Sequence, residues 1–255
     1  ENGQEAFDHV MFCFRVAENP AVSLPIMMNM DGFVLTHVIE PIEFWDQETV
    51  KQYLPDFEPV NRLHPDNPVT MGAFGLPGIF TEAKKAQDQA LIDSKSVILK
   101  AWKDMGDLVG RYYKPVETYH VEGAETVFLS MGSVGETVSL AVDQLRAQGK
   151  PVGQVKLRLW RPFPFEEFRE AVRGVKQLIV IDRAIIYGGV GGPVASEIRS
   201  ALYLEKNMPA ITNFLCGLAG RDVTAEDYMA MFEKTEQMVK GKVRQEDYII
   251  YGVRE

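Results

Sequence analysis

From Val116 onward, short apolar runs alternate with amphipathic segments, and this alternation constrains the fold more than any other feature. Four apolar runs predict strands: TVFLSMG, PVGQVKLRLW, QLIVIDR and AITNFLCG. The intervening segments have apolar residues at three- and four-residue intervals, which predicts helices over Val134–Gln148, Phe165–Val172, Pro193–Leu204 and Ala225–Val239. Strands that alternate with helices need crossover connections, so we predict a parallel sheet covered by helices.

The first 111 residues predict a second α/β unit that is incomplete. An amphipathic helix opens the chain, and Ala21–Asn29 is apolar on both faces, as in a buried parallel strand. A short helix is predicted over Gln47–Leu54, followed by a proline-rich excursion over Pro55–Gly78. The longest helix comes next and ends near Gly110. The sequence RYYKP looks like a hinge, so we divide the chain into residues 1–111 and 112–255, and we expect the first part to belong to something longer.

Composition excludes several functional classes. The chain has 46% apolar and 25% charged residues, typical of a globular protein. Its net charge of −9 argues against nucleic-acid and anionic-membrane partners, and no apolar run approaches the ~20 residues of a membrane span. Cys13 and Cys216 are the only cysteines, which fits a reducing cytoplasm. Two thiols cannot hold a four-ligand iron–sulfur cluster, and the four histidines lack zinc-site spacing, so we predict no metal bound by this chain itself.

Two glycine-containing turns suggest anion binding, but each has a simpler interpretation. In SMGSVGET, Ser133 followed by Glu136 predicts a capping box at a helix start. In IDRAIIYGGVGGPVASEI, glycines such as Gly191 permit positive φ and close backbone approach, so we predict loop architecture at an interface rather than nucleotide binding. Asp182 and Arg183 end a strand, where ligand sites of open α/β sheets gather. An interface ion pair is the alternative interpretation for these two residues.

Three further segments contain candidate interface or crevice residues. LCGLAGRDVTAED has Arg221 and Asp222 after a glycine turn, with Thr224 predicted to cap the next helix. RLWRPFPFEEF places two arginines around a tryptophan and favours a docking surface. In DGFVLTH, Asp31 and Gly32 predict a turn at the end of the first strand. Thr36 and His37 follow that turn, and they are either hydrogen-bonded structural residues or neighbours of a crevice.

Taken in order, seven segments resemble the α subunit of the pyruvate:ferredoxin oxidoreductase family, the thiamine-dependent 2-oxoacid oxidoreductases. They are QEAFDHVMFCFRVAENP, LPIMMNMDGFVLTHVIEPIE, NPVTMGAFGLP, LSMGSVGET, LRLWRPFP, VIDRAIIYGGVGGP and GLAGRDVT. Each segment is unspecific alone. Their order and spacing together match over essentially the whole chain.

The resemblance implies a fold and an activity. Residues 1–111 would be the carboxyl-terminal part of a thiamine pyrimidine-binding domain with a long trailing helix, and residues 112–255 a transketolase carboxyl-terminal-like domain. The family converts a 2-oxoacid, most commonly pyruvate, and coenzyme A to acyl-CoA and carbon dioxide, reversibly, and reduces ferredoxin. Its cofactors are thiamine diphosphate with Mg²⁺ and [4Fe–4S] clusters. Its partner subunits are a diphosphate-binding β, a γ and a ferredoxin-like δ subunit.

The departures from the family pattern limit what this chain can do alone. The family's cofactor-binding Glu and its substrate-adjacent Arg and Thr lie upstream of the segment that matches Glu1. The diphosphate signature, GDG followed by Asn, and the cluster cysteines are absent from the sequence. We therefore predict no catalytic or cofactor-binding residue here, and we expect DGFVLTH to be architecture beside the active-site crevice.

Two rival interpretations remain open at this point. A β chain of a 2-oxoacid dehydrogenase, or a transketolase relative, shares both domain types. A non-catalytic assembly subunit would keep the fold and lack the chemistry. DGFVLTH before a proline-rich excursion and GLAGRDVT near the end favour the oxidoreductase over the first rival.

Overall fold

The computed structural model describes residues 1–254, which form helices and one mixed sheet. The strands are β1 (Val116–Tyr119), β2 (Thr126–Ser130), β3 (Val152–Leu157), β4 (Gln177–Asp182), β5 (Ala210–Leu215) and β6 (Ile249–Ile250). The helices are α1 (Gly3–Ala17), α2 (Val34–His37), α3 (Gln47–Tyr53), α4 (Pro77–Val109), α5 (Val134–Ala147), α6 (Phe165–Ala171), α7 (Pro193–Leu202) and α8 (Ala225–Val239). The predicted α/β class is confirmed. We call residues 1–111 the helical unit and residues 112–254 the sheet unit.

The sheet has the strand order β1-β3-β2-β4-β5-β6. Strands β2 to β6 are parallel, and only β1 at the edge is antiparallel, paired with β3. The four predicted strands are confirmed as β2 to β5. The short edge strands β1 and β6 were not predicted, because VETY has two adjacent polar residues in only four positions and β6 has two residues.

Helices cover both faces of the sheet, which explains why its central strands are apolar on both sides. Successive residues of β2 point to opposite faces: Val127 and Leu129 join one buried cluster, and Phe128 joins the other. Helices α6 and α7 complete the first cluster, and α5 and α8 complete the second. All predicted helices of this unit are present within a few residues of their expected ends.

The helical unit has one smaller core between α1, α3 and α4. Phe12 of α1 stacks on Trp102 of α4 with ring centroids 4.9 Å apart. The hydroxyl of Tyr53 in α3 donates to the carbonyl of Ala101 at 3.1 Å. Helix α4 has 33 residues, about 50 Å at 1.5 Å per residue, and Gly110 ends it in the left-handed conformation with φ +76°. The predicted short helix, the proline-rich excursion and the long helix are confirmed.

The strand predicted over Ala21–Asn29 is wrong. Residues 21–29 are extended or turned, pair with no strand of the described chain, and include Met27 with 83% of its surface exposed. A parallel strand needs a neighbour to accept its N–H groups and donate to its carbonyls. Apart from an isolated bridge between His64 and Asn67, the rest of residues 1–111 is helical or unpaired, so no strand of this unit lies beside residues 21–29.

The two units meet along a seam that is mostly ionic. Arg158, just after β3, has a side chain that is only 10% exposed, and it pairs with Glu5 of α1 at 2.5 Å and with Glu117 of β1 at 3.0 Å. Lys95 of α4 contacts both carboxylates at the start of α6, at 3.0 and 2.9 Å. Leu159 of the sheet unit is buried in the apolar core of the helical unit, and Tyr113 packs against the same core. The docking surface predicted around RLWRPFPFEEF is therefore occupied by the chain's own helical unit.

Among residues 1–254, no helix combines the length and apolar composition that crossing a bilayer requires.

Candidate functional site

The carboxyl edge of the sheet has a switch point between β2 and β4. The chain passes from β2 to β3 on one side of this point and from β4 to β5 on the other. Adjacent connections therefore diverge and leave a crevice outside the ends of β2 and β4, where open α/β sheets bind their ligands. Ser133 follows β2 and Arg183 follows β4, so both lie at this crevice.

Asp31 of the helical unit occupies the crevice. Its carboxylate accepts a hydrogen bond from the hydroxyl of Ser133 and forms an ion pair with Arg183. Arg183 also donates to the carbonyl of Gly217, after β5, at 3.4 Å. The Asp31 side chain is only 10% exposed, so Ser133 and Arg183 take the place of water around its carboxylate. The structure thus brings together Asp31 and Arg183, which sequence analysis had named separately.

The turn after Asp31 lies against a third loop of the same edge. Phe33 adopts a φ of +75°, which is unusual for a residue with a side chain. The neighbouring Gly32 does not have a positive φ. An ideal Cβ at Gly220 would lie 3.5 Å from the Phe33 ring. Together, Asp31 and Phe33 fix this turn over the ends of β2, β4 and β5. The turn expected from Asp31 and Gly32 is present, without the strand expected before it.

Thr36 and His37 end the one-turn helix α2 and are exposed. The Thr36 hydroxyl accepts from the Phe33 amide at 2.9 Å and lies 2.9 Å from Nδ1 of His37. The His37 ring packs on Phe33 with centroids 5.0 Å apart. These contacts are local to the turn. Of the two interpretations left open by the sequence, the structure shows the hydrogen-bonded pair and no contact between His37 and the crevice.

The glycine loop after β4 surrounds the chain's own carboxylate. Asp182 is buried and accepts from the amides of Val194 and Ala195, in the first turn of α7, at 2.8 and 3.0 Å. Asn213 of β5 donates to Asp182 at 2.9 Å and accepts from the Gly192 amide at 2.9 Å. Burial raises the pKa of Asp182, and these hydrogen bonds act in the opposite direction. The amides that could hold a phosphate are therefore already used.

The same loop shows why glycine is required at position 191. Gly191 has φ +116°, and an ideal Cβ there would lie 2.6 Å from Oδ1 of Asn213 and 3.0 Å from Cβ of Tyr248. Gly188 also has positive φ, +67°, but no atom lies within 4 Å of its ideal Cβ. Position 191 is thus limited by conformation and by space, whereas position 188 is limited by conformation alone.

Asp182 and Arg183 do not pair with each other; Arg183 pairs with Asp31 and Asp182 holds α7. Arg221 donates to the carbonyl of Gly252, away from the crevice. Asp222 is exposed and makes no ion pair within residues 1–254. The structure therefore brings Asp31, Ser133 and Arg183 together and leaves Arg221 and Asp222 outside this group.

The two predicted helix caps have different outcomes. Thr224 and Asp227 form the expected capping box of α8. The box predicted for Ser133 and Glu136 is wrong, because the Ser133 hydroxyl donates to Asp31 and makes no cap bond to α5. Glu136 instead accepts from the Asn2 side chain at 2.8 Å. The Ser133 hydroxyl therefore bonds to Asp31, 102 residues away in sequence, instead of forming the local bond to the first turn of α5.

Sequence analysis missed a buried polar cluster centred on Asp8. Arg111 donates two hydrogen bonds to the Asp8 carboxylate at 2.6 and 2.9 Å, and Tyr113 and Trp45 donate at 2.8 and 3.0 Å. Burial alone would raise the pKa of Asp8, but the hydrogen bonds from Arg111 and Tyr113 lower it below its ordinary value. The available signal was an acidic residue beside Phe7 in the apolar pattern of α1. This cluster fixes the hinge segment to α1.

A surface depression of about 300 Å³ lies beside this cluster, away from the crevice. Its charged walls include Glu5, Arg111 and Arg158. Glu5 is paired with Arg158, and although burial would raise its pKa, the pairing lowers the pKa to about 2. Arg111 is paired with Asp8. Each of these three charged side chains already has a partner of opposite charge, so none of them is free to bind a charged ligand.

The residues present do not fit the diphosphate, metal or cluster chemistry of a thiamine-dependent oxidoreductase. No three acidic, histidine or cysteine side chains in residues 1–254 are grouped to hold a metal ion. Cys13 lies in α1 and Cys216 after β5, and burial raises the pKa of the Cys216 thiol to about 12. Such a thiol is a poor thiolate ligand. The candidate anion sites at the starts of α5 and α7 face Asp31 and Asp182 instead.

Two family models match the chain. Residues 1–103 match the domain described as pyruvate flavodoxin/ferredoxin oxidoreductase, thiamine diP-bdg, and residues 124–228 match pyruvate:ferredoxin oxidoreductase core domain II. Both models describe domains of one family. They match the chain in the same order as the helical unit and the sheet unit. The chain belongs to the pyruvate:ferredoxin oxidoreductase family, as the sequence resemblance predicted.

Curated relatives extend the match over nearly the whole chain. Pyruvate synthase subunit PorA of Methanothermobacter thermautotrophicus is 40% identical over 236 residues, 92% of this chain and 60% of the relative. The PorA subunit of Thermotoga maritima is 36% identical over 100% of this chain and 64% of the relative. Ketoisovalerate oxidoreductase subunit VorA of Pyrococcus horikoshii is 37% identical over 96% of this chain and 62% of the relative. The chain thus spans less than two thirds of the length of these relatives.

Proposed function

We propose that the chain is the α-type part of a thiamine diphosphate-dependent 2-oxoacid:ferredoxin oxidoreductase with pyruvate as substrate. The observation that carries this proposal is the 40% identity with a pyruvate synthase subunit over 92% of the chain. The reaction converts pyruvate and coenzyme A to acetyl-CoA and carbon dioxide. It passes two electrons to ferredoxin and is reversible. The identity supports the oxidoreductase over a 2-oxoacid dehydrogenase or transketolase relative.

The domain division follows the same proposal. Residues 1–111 correspond to the carboxyl-terminal part of the pyrimidine-binding domain, and residues 112–255 to the transketolase carboxyl-terminal-like domain. Helix α4 ends at Val109 and β1 begins at Val116, so the hinge segment RYYKP lies between them. The two family models, which match residues 1–103 and 124–228, support a boundary in this interval.

The chain's own contribution in this proposal is architecture. Asp31, Ser133 and Arg183 hold the DGFVLTH turn over the switch point of the sheet unit. Asp182 and Asn213 shape the glycine loop beside it, with Gly191 at its narrowest approach. Thiamine diphosphate with Mg²⁺, which supplies the electron sink for decarboxylation when bound, is held by other parts of the complex, as are coenzyme A and the [4Fe–4S] clusters. The proposed partners are a diphosphate-binding β subunit, a γ subunit and a ferredoxin-like δ subunit.

A second substrate deserves a direct comparison because of one relative. The ketoisovalerate oxidoreductase subunit is 37% identical to this chain, close to the values for the pyruvate synthase subunits. Overall sequence identity therefore does not distinguish pyruvate, which gives a two-carbon acyl group, from a branched 2-oxoacid as the substrate. Pyruvate stays the proposed substrate because the most identical of these three relatives is named for it.

The test is an assay of the purified complex that contains the full-length chain. We expect reduction of ferredoxin that needs both pyruvate and coenzyme A, and a lower kcat/KM with 3-methyl-2-oxobutanoate. A preference for the branched substrate would replace pyruvate and leave the reaction class intact. Transfer to a lipoyl protein instead of ferredoxin would favour the dehydrogenase interpretation. An assembled, cofactor-loaded complex that is inactive with every 2-oxoacid would favour the assembly-subunit interpretation.

A further inference from the structure

One part of the helical unit contacts almost nothing else in the described chain. We call residues 55–89 the arm; it comprises the proline-rich segment 55–76 and the first thirteen residues of α4. Every residue of the arm except Val69 is exposed. Its side-chain hydrogen bonds reach residues at most four positions away. Along α4, these thirteen residues extend about 20 Å beyond the buried half of the helix.

The arm presents a large apolar surface. Eight large apolar side chains are at least half exposed: Phe57, Val60, Leu63, Met71, Phe74, Leu76, Ile79 and Phe80. A phenylalanine offers about 150 Å² or more of surface, so the three in the arm alone expose roughly 300 Å². Monomeric proteins rarely leave apolar patches larger than a few hundred Å² uncovered, and larger ones mark interaction sites.

Five prolines and the anchored end of α4 restrict the conformations open to the arm. Pro55, Pro59, Pro65, Pro68 and Pro77 each fix one backbone angle. The rest of α4 is anchored in the core by Trp102 and Met105. A preorganised segment loses less conformational freedom on binding. Because proline has no amide hydrogen, the segment is also poorly suited to pair with another strand.

Charge identifies the chemistry of the partner. Residues 40–66, which lead into and form the outer part of the arm, contain seven acidic and two basic side chains. Within the described chain, only Glu43, beside Arg111, and Asp66, beside His64, have a basic partner. A nucleic acid or an anionic membrane would be repelled. A second copy of this chain, with its net charge of −9, is also unfavourable.

We propose that the arm docks into a groove on a different subunit of the oxidoreductase complex, apolar at its centre and lined at its rim by Lys and Arg. This inference rests on the proposed function, because that function supplies the other subunits. The apolar side chains of the arm fill the groove, and the carboxylates of residues 40–66 face its basic rim. The arm is thereby an intersubunit contact and not a catalytic element.

Amide hydrogen exchange tests the occupant directly. Exchange of peptides covering residues 55–89 is measured in the isolated full-length chain and in the complex with the other subunits. We expect rapid exchange of residues 55–76 in the isolated chain at all concentrations, and at least about tenfold slower exchange in the complex. Protection in the isolated chain would mean that its own upstream segment covers the arm. Protection that grows with the concentration of the chain alone would mean a second copy. Either result, or no protection in the complex, overturns the proposal.

A matched pair of variants tests the energetics in the assembled complex. Phe74 is 84% exposed in the arm, and Leu204, two residues after α7 of the sheet unit, is 80% exposed. We expect F74D to weaken binding of the partner subunit by about tenfold or more, as for an interface anchor, and L204D to have less than a threefold effect. Circular dichroism of both chains stays unchanged because neither side chain is buried. Equal binding by F74D and the unmodified chain would overturn the proposal.

The two proposals fail in distinguishable ways. A complex that reduces ferredoxin with pyruvate while residues 55–89 stay unprotected rejects the docking of the arm alone. A complex in which the arm is protected but no 2-oxoacid is oxidised rejects the proposed function and leaves the docking surface in place.

Discussion

The sheet unit and the helical unit differ in how far their own residues complete their fold. In the sheet unit, β2 and β4 are buried on both faces by helices from the same unit. The helical unit has a core of nine buried apolar residues, one of which, Leu159, comes from the sheet unit. It also leaves side chains such as Ile39 fully exposed. The sheet unit thus covers its central strands with its own helices, whereas the helical unit leaves large apolar side chains uncovered within residues 1–254.

Among the variants that test this comparison, Gly191→Val in the sheet unit should have the largest effect on the free energy of unfolding. The new Cβ would overlap Asn213, and a β-branched residue at φ +116° is strained, so we expect a loss of about 3–5 kcal/mol. Gly188→Ala in the same loop should cost only about 1 kcal/mol, because its Cβ meets no atom. Urea unfolding followed by circular dichroism measures both. Equal effects of the two variants would show that space at position 191 is unimportant.

In the helical unit, Asp8→Asn should have the next largest effect. The amide cannot accept all five hydrogen bonds, which include one from Gln4 at 3.2 Å, and it loses the charge that faces Arg111, so we expect a cost of about 2 kcal/mol. Fluorescence of Trp45 and Trp102 during urea unfolding reports on this unit when both variants are made in a Trp160→Phe background, because Trp160 packs against the core of the sheet unit. The control is Asp104→Asn, whose carboxylate pairs with Lys100 at 2.6 Å and Arg15 at 3.3 Å near the surface and should contribute less than about 1 kcal/mol. If the two variants are equally stable, Asp8 does not organise this unit.

Between the units, Arg183→Ala tests the contact that joins them at the crevice. Removing the guanidinium leaves the mostly buried Asp31 with only the Ser133 hydroxyl, which should cost about 1–2 kcal/mol. The control is Arg161→Ala. Arg161 is exposed and pairs with Glu197 at 3.1 Å, so its removal should cost less than about 0.5 kcal/mol. In complexes that still assemble, single-turnover decarboxylation should be unchanged for Arg183→Ala and for Gly191→Val. A large rate loss with normal cofactor content would place the crevice in the active site.

The smallest expected effect is a pH dependence specific to the helical unit. His9 is buried, the Trp102 indole donates to its Nε2 at 3.2 Å, and Nδ1 then donates to the Glu5 carbonyl at 2.8 Å. Burial is the main cause that lowers the His9 pKa from 6.5. The unfolded chain therefore binds the proton first, so stability is full above about pH 6.5 and falls as pH decreases toward the folded pKa. The slope is at most ~1.4 kcal/mol per pH unit for one proton.

His9→Gln provides the control for this pH effect. Glutamine has no proton to gain between pH 5 and 7, so the variant should be less stable overall and lose this part of the slope. Melting temperatures of both proteins at pH 5.5 and 7.5 give the comparison. A slope that survives in His9→Gln would assign the effect to other groups.

The sequence predicted the sheet unit better than the helical unit, for a physical reason. Strands β2 to β5 are apolar on both faces because helices cover both, so their local pattern matches their environment. Residues 21–29 show the same pattern without a pairing strand in the described chain. An apolar sequence pattern indicates that a segment favours burial. It does not indicate whether a neighbouring strand is present to pair with that segment.

For the crevice, the sequence identified individual candidate residues but not which of them pair with one another. Asp31 and Arg183 were both identified as candidates, since each follows a turn or strand end. Their pairing spans 152 positions, and the hydroxyl of Ser133 reaches Asp31 across 102. Contacts of this range depend on how the units pack, which no local spacing encodes. Asp8 was missed for the same reason, because Arg111 and Tyr113 approach it from the far end of α4.

The most direct test of the central claim, that this chain depends on other protein for its cofactor, is calorimetric titration with thiamine diphosphate and Mg²⁺. Residues 1–255 and the complex with the full-length chain are titrated under identical conditions. We predict saturable binding by the complex and no binding by residues 1–255 at micromolar concentrations. Micromolar binding by residues 1–255 alone, about −8 kcal/mol, would contradict the account, because it would place a complete cofactor site within this chain.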